Sequence, residues 1–321
     1  MEGRAVKAAV VAKFGEAPRY ADVPEPQAAD EDEVVVEVLA AALSPRVRSQ
    51  AAGAHYTSTD ELPLIPGIDG VGRVPGGGLV YFLLPDTNKG AMAERTTVDM
   101  RRAVPLPEDA DVVKLAAVMN PAMASWVALR RRITFKRGQS VLVLGATGNA
   151  GRCAVQVARR LGASQIIAAG RGTERIRDLA QLGATRIIEL GDAESAKREL
   201  ADAGKDIDVV IDFLWGEPTK NALYAIIPNR TNDDQLLTWI QIGSIAGLES
   251  PIPSAALRAV NLQIIGSGQG SVPLRDYRRE VEELAAEVVK GTFDTPARRV
   301  SLRDVETAWA ETSSERIVIV P

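Results

Sequence analysis

The residues best suited to chemistry are Gly145-Ala146-Thr147-Gly148-Asn149-Ala150-Gly151, a string with glycine at every third position. It follows an apolar run, Ser140 to Leu144, and leads into a stretch with helical periodicity. That context suits the grip of a pyrophosphate. One glycine permits a tight turn, the next lets the backbone approach the anion, and the third lets helix and strand pack closely. Free backbone N–H groups and the positive end of the helix would then meet the phosphates, so Ala146, Thr147, Gly148, Asn149 and Ala150 are the expected contacts. About twenty residues further on, a carboxylate would hold the ribose 2′-hydroxyl of NAD. Here the chain reads Ala168-Ala169-Gly170-Arg171, with Arg175 shortly after. With no carboxylate at that point, Gly170 leaves Arg171 and Arg175 to bind a 2′-phosphate through charge-assisted hydrogen bonds. NADPH is the expected cofactor, in preference to NADH.

The elements that would position these residues show two textures. From about residue 116, short apolar strands (Ser140 to Leu144, Gln165 to Ala169, Arg186 to Leu190, Asp208 to Asp212, Thr238 to Ile242, Leu262 to Ile265) alternate with helical stretches. In the first of these helices Ala150, Ala154, Val157, Ala158 and Leu161 form one apolar face. Strands joined by helices run parallel, which predicts an α/β, Rossmann doubly wound sheet over 116–267. Residues 1–115 instead hold β-branched runs broken by Pro and Gly, such as Val34 to Val38 and Leu79 to Leu83. Gly67, Gly70, Gly72 and the run Gly76 to Gly78 are expected to supply positive φ at turns. The remainder, 268–321, offers a helix near Leu274 to Lys290, a short helix and a strand from Arg316 to Val320. It is too small to fold alone and is expected to join the first domain.

A net charge of −4 gives no general attraction for nucleic acid or an anionic membrane, so small molecules are the expected partners. The single cysteine, Cys153, excludes an internal disulfide and reads as a small core residue. The N-terminal stretch has no apolar leader core, and no uninterrupted apolar run approaches the ~18 residues of a membrane span; a cytoplasmic location is expected. The run Arg130 to Arg132 reads as a solvated face favouring a helix C-terminus, and Asp30 to Glu33 as a solvated loop. Trp126 reads as a core aromatic.

Together, PGIDGVGRV at 66–74, the stretch Asn120 to Trp126, the glycine turn, Gly243-Ser244-Ile245 and Gly266-Ser267-Gly268 give a chain that resembles the zinc-independent quinone oxidoreductases of the medium-chain dehydrogenase/reductase superfamily. The resemblance implies a GroES-like catalytic domain (1–115 plus 268–321) interrupted by the NADPH-binding domain, an active site in the cleft between them, and a homodimer. Asn120, Gly243, Ser244, Ile245, Ser267 and Gly268 would border the nicotinamide end, with Phe213 to Gly216 beside the adenosine. Residues 44–56 match the family's substrate-side loop, where Tyr56 stands at a tyrosine position and Ser49 replaces another. Tyr56 could stack on a flat substrate or give a proton to a reduced oxygen, and His55 could do the same as a general acid. Zinc branches use Cys and His ligands; with one of each, this chain cannot assemble the usual tetrahedral site. The implied activity is NADPH-dependent reduction of a quinone or activated enone. The alternatives are an enoyl-thioester reductase and a crystallin-like NADPH- or RNA-binding protein. The sixth strand, Asn261 to Gly266, is the expected edge for dimer pairing.

Overall fold

The computed structural model describes residues 4–311 and 315–321; the first residues of the stretch read for a leader, and 312–314, lie outside them. The chain forms two compact units, one made of Met1–Asn120, Leu274–Gly291 and Thr295–Pro321, the other of Pro121–Pro273 and Thr292–Asp294.

In the first unit, strands β1 (Ala5–Val10) and β2 (Arg19–Pro24) pair antiparallel. Then come β3 (Glu33–Ala42), helix α1 (Pro45–Ala51), β4 (Asp69–Arg73), β5 (Leu79–Leu83), β6 (Arg95–Asp99) and β7 (Ala103–Leu106). The unit boundary falls inside α2 (Val112–Val127). The second unit holds β8 (Ser140–Leu144), α3 (Asn149–Leu161), β9 (Gln165–Gly170), α4 (Thr173–Arg177), α5 (Leu179–Leu182), β10 (Arg186–Glu189) and α6 (Ala193–Ala203). It continues through β11 (Val209–Asp212), α7 (Gly216–Ile226), β12 (Leu237–Gln241), α8 (Ala256–Ala259) and β13 (Leu262–Gly266). The chain ends with α9 (Leu274–Val289), β14 (Ala297–Ser301), α10 (Val305–Ala310) and β15 (Arg316–Val320).

The second unit carries the predicted doubly wound sheet: six strands in the order β10-β9-β8-β11-β12-β13, all parallel. The order reverses between β8 and β11, and every strand ends at the same sheet edge, so the loops after the strands gather there. Leu142, Leu144, Ile167, Val210, Trp239 and Leu223 build its core. In the first unit, a seven-stranded sheet runs β14-β15-β3-β4-β5-β7, with β6 also pairing β3. The tail strand β15 pairs β3, so the C-terminal piece belongs to this sheet.

Several expectations change. Gly70 and Gly72 lie within β4 and do not have positive φ. What excludes a side chain is space: a Cβ at Gly72 would stand 2.5 Å from the Glu37 carbonyl oxygen, and one at Gly70 would stand 2.8 Å from the Phe82 ring. Half of the predicted substrate-side loop is helix. Ser44 caps α1 by accepting from the Val47 N–H (3.1 Å), and Pro45 fits its first turn. The Arg130–Arg132 run is not simply a solvated face. The helix closes there in a π-turn (Ala128–Arg132), and Arg132 donates to the Gly266 and Ser271 carbonyls at 2.9 and 3.2 Å. Arg130 stacks 4.8 Å over Trp126, which is 3% exposed. One helix, Val112–Arg132, is by length and composition long and apolar enough to cross a membrane, although Lys114 and Asn120 interrupt its apolar run. Of its most apolar window 78% is buried within the protein, as in a core helix.

Candidate functional site

The glycine turn is built from backbone contacts. Gly145 has φ +87°, and the N–H groups of Gly145 and Ala146 both donate to the Ala169 carbonyl at 2.9 Å, which fastens the turn to the end of β9. A Cβ at Gly151 would meet the Gly145 oxygen at 2.2 Å and the Ala146 Cα at 2.6 Å, so helix α3 seats directly against the turn. Gly148 is the N-cap of α3 and lends no side chain to its first N–H groups. It is exposed, and an added Cβ would have only the Gly145 oxygen nearby, at 3.5 Å. The result is an open helix N-terminus with unblocked donors, the arrangement that binds phosphate. Cys153 lies buried on the inner side of the same helix.

Thr147 turns toward β9: a Cβ on Gly170 would collide with its side chain at 2.7 Å. That contact brings the end of β9 beside the turn. Arg171 follows immediately, exposed, and among the described residues no carboxylate pairs with it. Arg175, also exposed, lies in α4; its carbonyl accepts from Arg152 Nη1 at 3.4 Å, and Arg152 in turn faces Asp178 at 3.5 Å.

On the other side of β8, the loops after β11 and β12 lie against one another. Gly243 donates to the Asp212 carbonyl at 3.1 Å, Ala246 donates to the Leu214 carbonyl at 2.9 Å, and a Cβ on Gly243 would stand 2.8 Å from the Phe213 oxygen. Phe213, Gly243, Ser244 and Ile245 are therefore neighbours, with Ile245 77% exposed. Ser267 joins them by donating its N–H to the Gln241 carbonyl at 2.9 Å, and Gly268 donates to Ser271 Oγ at 3.0 Å. Asp212, which no motif marked, organises this region. It is fully buried; Oδ1 accepts from Leu214 and Trp215 N–H at 2.8 and 3.0 Å, and Oδ2 from Thr219 Oγ1 and Trp239 Nε1 at 2.6 and 2.9 Å.

Tyr56 and Asn120 belong to the first unit. Asn120 is half-buried on α2, directly before Pro121. Tyr56 is 79% exposed and its ring lies 4.4 Å from that of His55. Ser49 is half-buried on α1. Arg48 fastens α1 to the end of α10, donating to the carbonyls of Trp309, Ala308 and Glu311. Behind this face lies an ionisable cluster that local spacing could not reveal. Asp69 is buried and accepts from the Tyr81 hydroxyl at 2.7 Å. Burial pushes the Asp69 carboxyl up to about 6, a rise held back by the Tyr81 hydrogen bond and by the charges of Arg316 and Arg46. Tyr277 faces the same cluster.

This carboxyl has a folded-state value above its usual one. Its contribution to stability is complete below about 3.8 and is lost as pH rises through about 6. Tyr81→Phe removes the hydrogen bond that lowers the value, so it should cost about 1–3 kcal/mol, more at pH ~8 than at pH ~5 because the unpartnered carboxylate is charged only at the higher pH. Urea titrations at both pH values test this; the same loss at each would refute the coupling.

Comparisons with known proteins bear on what this arrangement serves. The family described as zinc-binding dehydrogenase matches residues 150–288. A protein of Emericella nidulans named probable NADPH-dependent quinone reductase tdiC is 29% identical over 95% of this chain and 96% of its own length. The quinone oxidoreductase of Thermus thermophilus, whose structure was solved alone and with NADPH, superposes with TM-score 0.78 at 28% identity, covering 98% of this chain and 100% of that one. These likenesses support the quinone oxidoreductase branch of the medium-chain dehydrogenase/reductase superfamily, the family that the sequence motifs resemble. Another relative, the chloroplastic NADPH-dependent alkenal/one oxidoreductase of Arabidopsis thaliana, is 27% identical over 46% of this chain and 42% of its own. The Rossmann and GroES-like architecture of the superfamily accounts for both sheets described above.

Proposed function

We propose that this oxidoreductase uses NADPH to reduce quinones or activated enones without a metal. The observation that carries the reading is the open, glycine-built turn at the start of α3, with Arg171 exposed at the end of the neighbouring strand and no carboxylate paired with it among the described residues. The pyrophosphate would lie against the turn from Ala146 to Ala150, on the N–H groups of Thr147, Asn149 and Ala150, while those of Ala146 and Gly148 hold the turn's shape by donating to the Ala169 and Gly145 carbonyls; Arg171, with Arg175 one turn on, would hold the 2′-phosphate. Phe213 would flank the adenosine, while Gly243, Ser244, Ile245, Ser267, Gly268 and Asn120 would contact the nicotinamide side. When bound, NADPH supplies a hydride, and the protein's part is to orient, to exclude water and to stabilise charge on the substrate. Tyr56, exposed and paired with the His55 ring, would stack on a flat substrate. The names of relatives that reduce quinones or alkenals and alkenones support the substrate class. The metal-free reading rests on the donor set: the chain has one Cys and one His, and among the described residues no group of three or more His, Cys, Asp or Glu is placed to hold an ion. A homodimer formed through the exposed edge of β13 is part of the same proposal.

The direct experiment follows NADPH oxidation against quinones, enones and enoyl thioesters, with NADH in parallel and a chelator control. Consumption of NADPH with quinones or enones, indifferent to chelator, is expected; cofactor binding without any reduction would favour the non-enzymatic alternative. Arg171→Ala should raise the KM for NADPH about 10- to 100-fold, as the loss of one or two charge-assisted hydrogen bonds implies, and leave NADH almost unaffected. Equal effects on the two cofactors would sink the 2′-phosphate assignment.

A further inference from the structure

His55 is the only histidine in the chain, and its hydrogen-bond partners point to which of its nitrogens carries the proton. Its Nδ1 lies 2.8 Å from Thr57 Oγ1 and 3.3 Å from the Thr57 backbone nitrogen. A backbone N–H can only donate, so Nδ1 must accept. Arg46 Nη2, in turn, donates to the same Thr57 oxygen at 3.0 Å. A guanidinium also can only donate, so the threonine hydroxyl receives from Arg46 and passes its own hydrogen on to Nδ1. Arg46 is fixed from behind by Asp86, whose Oδ1 lies 2.8 Å from the same Nη2. With the Thr57 hydroxyl and backbone N–H both directed at Nδ1, the ring proton is left on Nε2. Tyr56 stands beside it.

We propose that Arg46 and Thr57 are positioning residues that hold His55 as a neutral Nε2–H donor, and that this N–H hydrogen-bonds to the carbonyl oxygen of the quinone or enone as charge builds on it. The proposal rests on the reading of function given above. Hydride addition brings an electron pair and forms a C–H bond at the electron-poor carbon. The displaced π pair moves onto the oxygen, which gains negative charge and later takes a proton from water. The imidazole does not give up its own proton, because a neutral ring would have to become imidazolate; it stabilises charge as a preorganised donor. Neutral histidine has this role in triosephosphate isomerase, where an imidazole kept uncharged polarises a carbonyl. Two effects keep His55 neutral here. Burial lowers its affinity for a proton below the ordinary histidine value, and the adjacent Arg46 charge lowers it further, with Asp86 opposing.

Because no other histidine contributes signals, nitrogen NMR of tag-free, 15N-histidine protein reads the tautomer without assignment. A protonated Nε2 and unprotonated Nδ1 are expected at neutral pH, with titration below the ordinary histidine value. Thr57→Val should shift the ring toward a mixture of tautomers. A wild-type ring protonated on Nδ1, or charged at pH ~7, overturns the proposal whatever the enzyme reduces. In turnover, His55→Ala should lower kcat about 100-fold, in the range measured for loss of one such donor. His55→Gln, whose amide N–H reaches a similar point, should recover at least about a tenth of wild-type kcat and lose the pH dependence that His55 confers. His55→Ala turning over within about twofold of wild type also overturns it, while wild-type turnover leaves the functional reading intact. A wild-type enzyme that reduces no quinone or enone fails that reading instead, and removes the substrate half of the proposal with it.

Discussion

Gly151→Ala is expected to abolish measurable NADPH binding and to lower the melting temperature by about 10 °C. The added methyl would stand 2.2 Å from the Gly145 carbonyl oxygen and 2.6 Å from the Ala146 Cα, less than any real carbon contact allows. Both neighbours are backbone, and neither can swing aside as a side chain would. Either α3 retreats from β8 or the turn opens, and each displaces the N–H groups that would meet the pyrophosphate. Overpacking of this kind costs roughly 1–3 kcal/mol and more where backbone must move, and about 3 kcal/mol corresponds to roughly 10 °C in a domain of this size. Gly148→Ala is the companion measurement. Its φ of −75° suits any residue and its surroundings are open, so the melting temperature should stay within about 2 °C. Isothermal titration with NADPH then separates two causes. Affinity lost in both variants, with stability lost only at Gly151, is the result expected if the anion approaches the backbone at Gly148. Unchanged affinity and stability in Gly151→Ala would show that the turn does not hold the cofactor.

What could be read from the residues alone was what depends on short stretches of chain. The strands of the second unit are short and largely apolar because a parallel sheet is covered on both faces, and β8 from Ser140 to Leu144 has the limits its sequence suggests. The glycine turn was legible for the same reason: strand, turn and helix are consecutive. Gly70 and Gly72 were misjudged because their reason for being glycine lies across the sheet, at Phe82 and Glu37. Strand β14, with sequence ARRVS, alternates too weakly to announce itself and is recognisable only through its pairing with β15. Arg132 reads as solvated until the loop after β13 brings two carbonyls to it. The series behind His55 was hidden most deeply. Arg46 and Asp86 are 40 residues apart in the chain, and no spacing rule joins them.

The same distinction explains why Asp212 went unmarked and why its loss should matter more than that of any surface carboxylate. Asp212→Ala is expected to destabilise the protein by about 4 kcal/mol or more, a melting-temperature loss of roughly 10 °C. The substitution leaves four donors without their carboxylate partner in the buried surroundings of Asp212: the N–H groups of Leu214 and Trp215, the Thr219 hydroxyl and the Trp239 indole. Each unsatisfied donor costs about 1–3 kcal/mol, with relaxation reducing the sum. One of them restrains an unfavourable backbone. Trp215 has φ +55° and ψ −168°, a conformation that a bulky residue adopts only under constraint, at a cost of about 1–3 kcal/mol. With Asp212 gone, Trp215 can relax, and the loop from Phe213 to Gly216 moves with it. Since Gly243 lies against Phe213 and Gly216 lies against Ala246, the loop after β12 should follow, and NADPH affinity should fall together with stability. Asp212→Asn is the sharper comparison. Its oxygen can still accept from the two N–H groups, and the Thr219 hydroxyl can reverse its role, but the indole N–H would face an amide N–H. Asparagine should therefore lose about half as much stability as alanine, while cofactor affinity stays near that of the wild type. If asparagine weakens NADPH binding as much as alanine does, the carboxylate acts on the site through its charge and not through the loop it ties down.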